Sequence, residues 1–118
     1  MTTTPSSTGC NRGDVFFVNV RFSDDTGVKR RPVVVVSVEA FHSARYDALI
    51  VPLTTNLSAV RFGDHILHDW ASAGLPRASL AKGVVETIDR ATFDRRLGHV
   101  TARDLAAIER SLRDVLGL

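Results

Sequence analysis

Between Asp14 and Phe22 the apolar residues Phe16, Val18, Val20 and Phe22 share one parity, while Asn19 and Arg21 fall on the other. A period of two predicts a first strand. Ser23-Asp24-Asp25-Thr26-Gly27 follows, a set whose side chains bond nearby backbone and whose glycine tolerates positive φ, so a loop from Ser23 to Lys29 should return the chain. Pro32 lacks a backbone donor and fits a strand start. Pro32 to Val38 therefore reads as a second strand hairpinned to the first, with the β-branched run Val33 to Val36 buried on both faces. Tyr46 to Leu53 predicts a third strand, in which Pro52 requires an edge or an irregularity.

Further along, Val60 to Leu67 predicts a short fourth strand and Asp69 to Gly74 a helical turn that stops at the glycine. Ser79 to Ile88 reads as another strand, with Leu80, Val84, Val85 and Ile88 apolar and Gly83 a bend or bulge. Arg96 to Val100 predicts one more. The clearest helix comes last. Thr101 is a good N-cap, Asp104 stands three residues on, and Leu105, Ile108, Leu112 and Val115 recur on one face until Gly117 ends it. Several short strands followed by one helix predict a mainly β fold, a small barrel rather than alternating βαβ units.

At 118 residues, 44% hydrophobic and 24% charged, the chain suits one folded domain with a core of its own. Met1 to Arg12 has almost nothing apolar to bury and is expected to be a flexible tail, which leaves 13–118 as the domain. The tail lacks the apolar centre of a secretory signal, and the longest aliphatic run, Val33 to Val36, is too short for a bilayer, so a cytoplasmic protein without membrane contact is expected. Cys10 is the single cysteine, which excludes an internal disulfide and a cysteine-based zinc cluster. Net charge is only +2, so any attraction for nucleic acid must be local. Lys29-Arg30-Arg31 is the densest basic group, with weaker ones at Arg77 and Lys82 and at Arg95-Arg96.

Catalytic signatures are mostly missing. His42, His65, His68 and His99 lack the paired spacing of a zinc protease helix, and strand periodicity would put His65 and His68 on opposite faces. The sequence has no G-x-S-x-G elbow, no Walker loop and no G-x-G-x-x-G. Asp24-Asp25 beside Gly27 reads as a turn former rather than a metal pair, and no metal or other cofactor is expected. Phe16 and Phe22 belong to the core by parity, which leaves Phe17 as the one candidate for stacking on a base.

Several pieces in order nevertheless carry a pattern. Arg12-Gly13-Asp14-Val15 leads into the first strand; Gly27 and Arg31-Pro32 precede Val33-Val34-Val35-Val36-Ser37; Val51-Pro52-Leu53-Thr54-Thr55-Asn56 closes the third strand. Ser79, Thr87-Ile88-Asp89, Leu97-Gly98-His99-Val100 and the final Leu116-Gly117-Leu118 continue it. In this series the chain resembles the MazF/PemK toxins of type II toxin–antitoxin systems over nearly all of its length after the tail. The first loop departs from the family pattern, with Asp24-Asp25-Thr26-Gly27-Val28 where many members carry a longer stretch bearing glycine and glutamine.

The resemblance implies an SH3-like barrel with a C-terminal helix, a homodimer, a cognate antitoxin as partner, and DNA contact only through that antitoxin. It also implies a sequence-selective endoribonuclease of single-stranded RNA, in which the ribose 2′-hydroxyl displaces the 5′-oxygen without a metal. Such a reaction needs fixed donors around a doubly charged phosphorane. By position, Arg31 matches the family's catalytic arginine, whose fork can hold a phosphate through two bonds, and Thr54 the supporting threonine. Lys29, Arg30, Thr55 and Asn56 then become contacts to flanking phosphates and bases. Two other readings stand beside this one: a CcdB-like gyrase inhibitor and an inactive RNA-binding barrel. The first depends on a C-terminal tryptophan, whereas Trp70 is internal here.

Overall fold

The computed structural model describes residues 9–21 and 27–118. The expected turn at Ser23 to Thr26 and the core position of Phe22 lie outside the described residues. Within these residues seven strands and two α-helices follow in the order β1 (Asp14–Arg21), β2 (Val28–Val35), α1 (Glu39–Arg45), β3 (Asp47–Thr54), β4 (His65–Ile66), β5 (Leu80–Ala81), β6 (Glu86–Asp89), β7 (Phe93–His99) and α2 (Ala102–Leu116). All pairings are antiparallel, along the path β4-β5-β3-β2-β1-β7, with β6 also on β3. Among the described residues the sheet is not closed, so it is barrel-like rather than a closed barrel, and α2 is the C-terminal helix.

Alternation explains how the sheet is buried on both sides. Val15, Val34, Val51 and Leu53 point toward α2 and gather Leu67, Leu75, Val100 and Ile108 into the larger core. Phe16, Val18, Val33, Val35, Ala48 and Ile50 point the other way and form a second one. Most of the aliphatic run expected to be buried on both faces is divided between these cores. Phe16 stacks on Phe93 at 4.7 Å, which ties β7 to the second core.

Pro52 meets its requirement inside β3. Its carbonyl accepts a 3.0 Å bond from the Lys82 N–H, and its missing donor falls where β3 changes partner from β6 to β5. That same exchange splits the single strand expected over Ser79 to Ile88. Lys82 to Val85 leaves the ladder between β5 and β6, and Val84 and Val85 are exposed rather than core.

Other boundaries also move. β2 begins at Val28, not Pro32, because Lys29, Arg30 and Arg31 pair with Val20, Asn19 and Val18 of β1. It ends at Val35, before Val38. The chain enters the fold ahead of Gly13: Cys10 is buried in the second core, and Arg12 forms an ion pair with Glu109 of α2. The flexible tail therefore cannot extend to Arg12. Burial pushes the Cys10 thiol up to about 11, which makes it a core side chain and a poor nucleophile.

The predicted helix forms as expected. Thr101 accepts from the Asp104 N–H and Gly117 closes the last turn at φ 73°. Glu39–Arg45, where the pattern predicts no element, makes the short α1, whose buried His42 bonds Ser37 Oγ at 2.6 Å. Burial pushes that imidazole below its ordinary value, so it is the neutral form that packs there.

Candidate functional site

Antiparallel pairing sets the direction of the basic triplet. Successive residues of a strand face opposite sides of a sheet, so Lys29 and Arg31 share one face and Arg30 takes the other. Arg30 stacks over the Phe17 ring at 4.4 Å and pairs with Asp94 of β7 at 3.0 Å. This accounts for the placement of both Arg30 and Phe17.

Arg31 faces a cavity of about 260 Å³ whose wall also includes Thr54, Lys82 and Glu86. The floor comes from Val33, Leu53 and Ile88. Each polar member has a simple structural reason to be there. Arg31 lies opposite Val18 in the β1–β2 ladder, and Thr54 ends β3 opposite Leu80 of β5. Lys82 follows β5 and is fixed by its backbone bond to Pro52. Glu86 and Ile88 are two residues apart on β6, hence on one side of it.

Thr54 Oγ1 accepts the Asn56 N–H at 3.1 Å, which holds the start of the following loop and leaves the hydroxyl hydrogen to be donated elsewhere. Asn56 Oδ1 in turn accepts from the Ser58 N–H at 3.1 Å and from Ser58 Oγ at 2.6 Å. A second cavity of about 370 Å³ shares Thr54 and Lys82 with the first, and adds Asn56, Arg61 and Phe62. Phe62 is 78% exposed in its wall. The two cavities meet at Thr54 and Lys82 as one groove, with Arg31 and Glu86 in the first and Arg61 and Phe62 in the second.

Thus the structure brings Arg31, Thr54 and Asn56 to one groove and places Thr55 exposed between them, but directs Arg30 away. The sequence reading did not place Glu86 beside Arg31 and Thr54 and gave Lys82 only as part of a weak basic grouping. The signal for Glu86 was its parity with Ile88, hidden by the expectation of one unbroken strand.

The histidines require a correction. His65 and His68 do not diverge: with Asp104 their donor atoms lie within 4.8 Å of one another. The reason is that β4 ends at Ile66, so strand parity no longer applies at His68. Asp104 Oδ1 accepts from His65 Nε2 and from the His68 N–H, both at 2.9 Å, and Oδ2 from the Asp69 N–H at 2.8 Å. With both oxygens engaged by N–H donors, the carboxylate acts as a latch between α2 and the segment after β4. Asp69 continues the latch: Thr101 Oγ1 and a two-pronged Arg103 bond it, and these contacts hold its carboxyl at about 2.

A model of the family described as PemK-like, MazF-like toxin of type II toxin-antitoxin system matches residues 11–116. No curated protein sequence matches the chain. Among solved structures, an endoribonuclease from a mycobacterial species is 23% identical with a TM-score of 0.73, over 92% of each chain. A mycobacterial endoribonuclease in complex with its cognate antitoxin is 24% identical with a TM-score of 0.75, covering 93% of this chain and 97% of that one. A MazE–MazF complex from Deinococcus radiodurans is 19% identical with a TM-score of 0.77, covering 92% and 96%. At these identities the structural likeness shows a shared fold.

Proposed function

Because the chain belongs to the family of PemK-like, MazF-like toxins of type II toxin–antitoxin systems, we propose that it is the toxin of such a pair, a sequence-selective endoribonuclease of single-stranded RNA. The observation that carries this reading is that Arg31 and Thr54, from different strands, line one cavity. In the proposed reaction the 2′-hydroxyl attacks the adjacent phosphorus and the 5′-oxygen leaves. The products are a 2′,3′-cyclic phosphate and a 5′-hydroxyl, with no metal required.

Arg31 holds two phosphate oxygens through its planar fork, and its charge balances the charge that accumulates at phosphorus. Thr54 donates its hydroxyl hydrogen to a nonbridging oxygen. Lys29, which shares the face of Arg31, contacts a flanking phosphate, while Thr55 and Asn56 meet neighbouring nucleotides along the groove. Arg30 is left out of this assignment, since Phe17 and Asp94 hold its guanidinium on the other face.

The solved relatives also supply the expected partners. One is bound to its cognate antitoxin, and a segment laid over the same groove would compete with RNA. We extend that partnership, and assembly as a homodimer in the cytoplasm, to this chain. No described helix is long and apolar enough to cross a membrane.

Long single-stranded RNA incubated with the purified protein in excess EDTA should be cut to fragments with 5′-hydroxyl ends. Loss of one preorganised donor typically costs about 100- to 1000-fold, so Arg31→Ala should slow cleavage by that order. Intact RNA after treatment with well-folded wild type, across varied sequences, would replace the nuclease reading by that of a binding barrel.

A further inference from the structure

Attack by a 2′-hydroxyl requires something to take its proton, and the residues assigned so far do not supply it. A guanidinium is protonated at every pH a protein tolerates, and the Thr54 hydroxyl is placed to donate. Of the described residues lining the Arg31–Thr54 cavity, Glu86 is the one carboxylate. It is exposed on β6, opposite Ile50, and takes part in none of the ion pairs among the described residues. The neighbouring cavity has a carboxylate too, Asp64, but its Oδ1 is bonded by the Gly83 N–H and its Oδ2 by the Arg61 N–H, both at 2.8 Å. Those bonds direct Asp64 into its own loop.

The leaving oxygen presents the opposite need. We propose that Glu86 is the general base and Lys82 the general acid of the cleavage, with Arg31, which lines the same cavity, as the phosphate holder. This inference rests on the ribonuclease reading above and completes its chemistry.

Written as a step, the 2′-oxygen gives its proton to the Glu86 carboxylate while its electron pair forms the new bond to phosphorus. The bond from phosphorus to the 5′-oxygen breaks, and that oxygen takes a proton from the Lys82 ammonium. Afterwards Glu86 releases its proton to water and Lys82 recovers one from water, so the protein returns to its starting state. The charged groups that face Glu86 are Arg31 from β2 and Lys82 from the segment after β5.

The test measures cleavage rates of a single-stranded RNA containing the cut site, from acidic to alkaline pH, for wild type, Glu86→Gln, Glu86→Asp and Lys82→Met. Removal of a general base typically costs about 100-fold or more. Glu86→Gln should lose that much while binding RNA with unchanged affinity, and should lose the acidic limb of the pH profile; Glu86→Asp should recover part of the rate. Lys82→Met should be slow on ordinary RNA but restored on RNA with sulfur in place of the 5′-oxygen, since a thiolate leaves without a proton. Glu86→Gln should not be restored by that substrate. Wild-type rate and pH profile in Glu86→Gln would overturn the base, and failure of the sulfur substrate to restore Lys82→Met would overturn the acid. If wild type itself cuts nothing, the nuclease reading falls first.

Discussion

Alanine at position 104 should lower the stability of the fold by about 3–5 kcal/mol, the usual cost of leaving buried partners of a carboxylate uncompensated. Asp104 is 0% exposed and accepts from three donors: the His65 ring and the backbone N–H groups of His68 and Asp69. Without it those donors lose their acceptor, and α2 loses its hold on the segment after β4. The same carboxylate sets a pH dependence. Burial alone would raise its pKa, but bonds from the His68 N–H, His65 and the Asp69 N–H, together with the charge of His65, outweigh burial and hold it below its ordinary value of 3.8. A carboxyl lowered in the folded state stabilises fully above its unfolded value and loses that contribution as pH falls below it. Urea titrations from neutral into acid should therefore show wild type losing more stability than Asp104→Ala. Equal urea midpoints for the two proteins at neutral pH would refute the latch.

Gly74→Ala should be of similar size, about 3–5 kcal/mol, combining the strain of a non-glycine residue in a disfavoured backbone region with overpacking. Gly74 has φ +87°, and a Cβ there would stand 2.1 Å from the Leu97 carbonyl oxygen. Its neighbour across the contact is also a glycine: a Cβ on Gly98 would lie 2.5 Å from the Ala73 oxygen. Here two backbones touch, so no flexible side chain can swing aside. Thermal melting of Gly74→Ala checks this, and a melting temperature like that of wild type would show that β7 can shift at little cost.

Much of this architecture was legible in the residues. The parity of β1, the β-branched run of β2 and the capped, periodic α2 each state their structure locally, because period and burial coincide there. The unread parts are those where a distant partner decides. Lys29 to Arg31 has no apolar pattern of its own and is extended because β1 lies beside it. Residues 82–85 leave the sheet because β3 exchanges partners there, which no local propensity reports. His65 and His68 meet at Asp104 from 39 and 36 residues away. For the candidate site, Arg31 and Thr54 were found through the family pattern, whereas Glu86 required knowing which wall β6 completes.

The pairing of β1 with β7 has a kinetic consequence. β1 and β2 can meet early as a hairpin, but β7 reaches the free edge of β1 only after a long loop has closed, as the Asp14–Arg96 ion pair spans 82 residues. Closing such loops precedes the contacts that reward it, which slows folding. Until that late docking, β1 exposes an unpaired edge beside Phe16, and in this interval the chain is most open to association with another copy or capture by a chaperone.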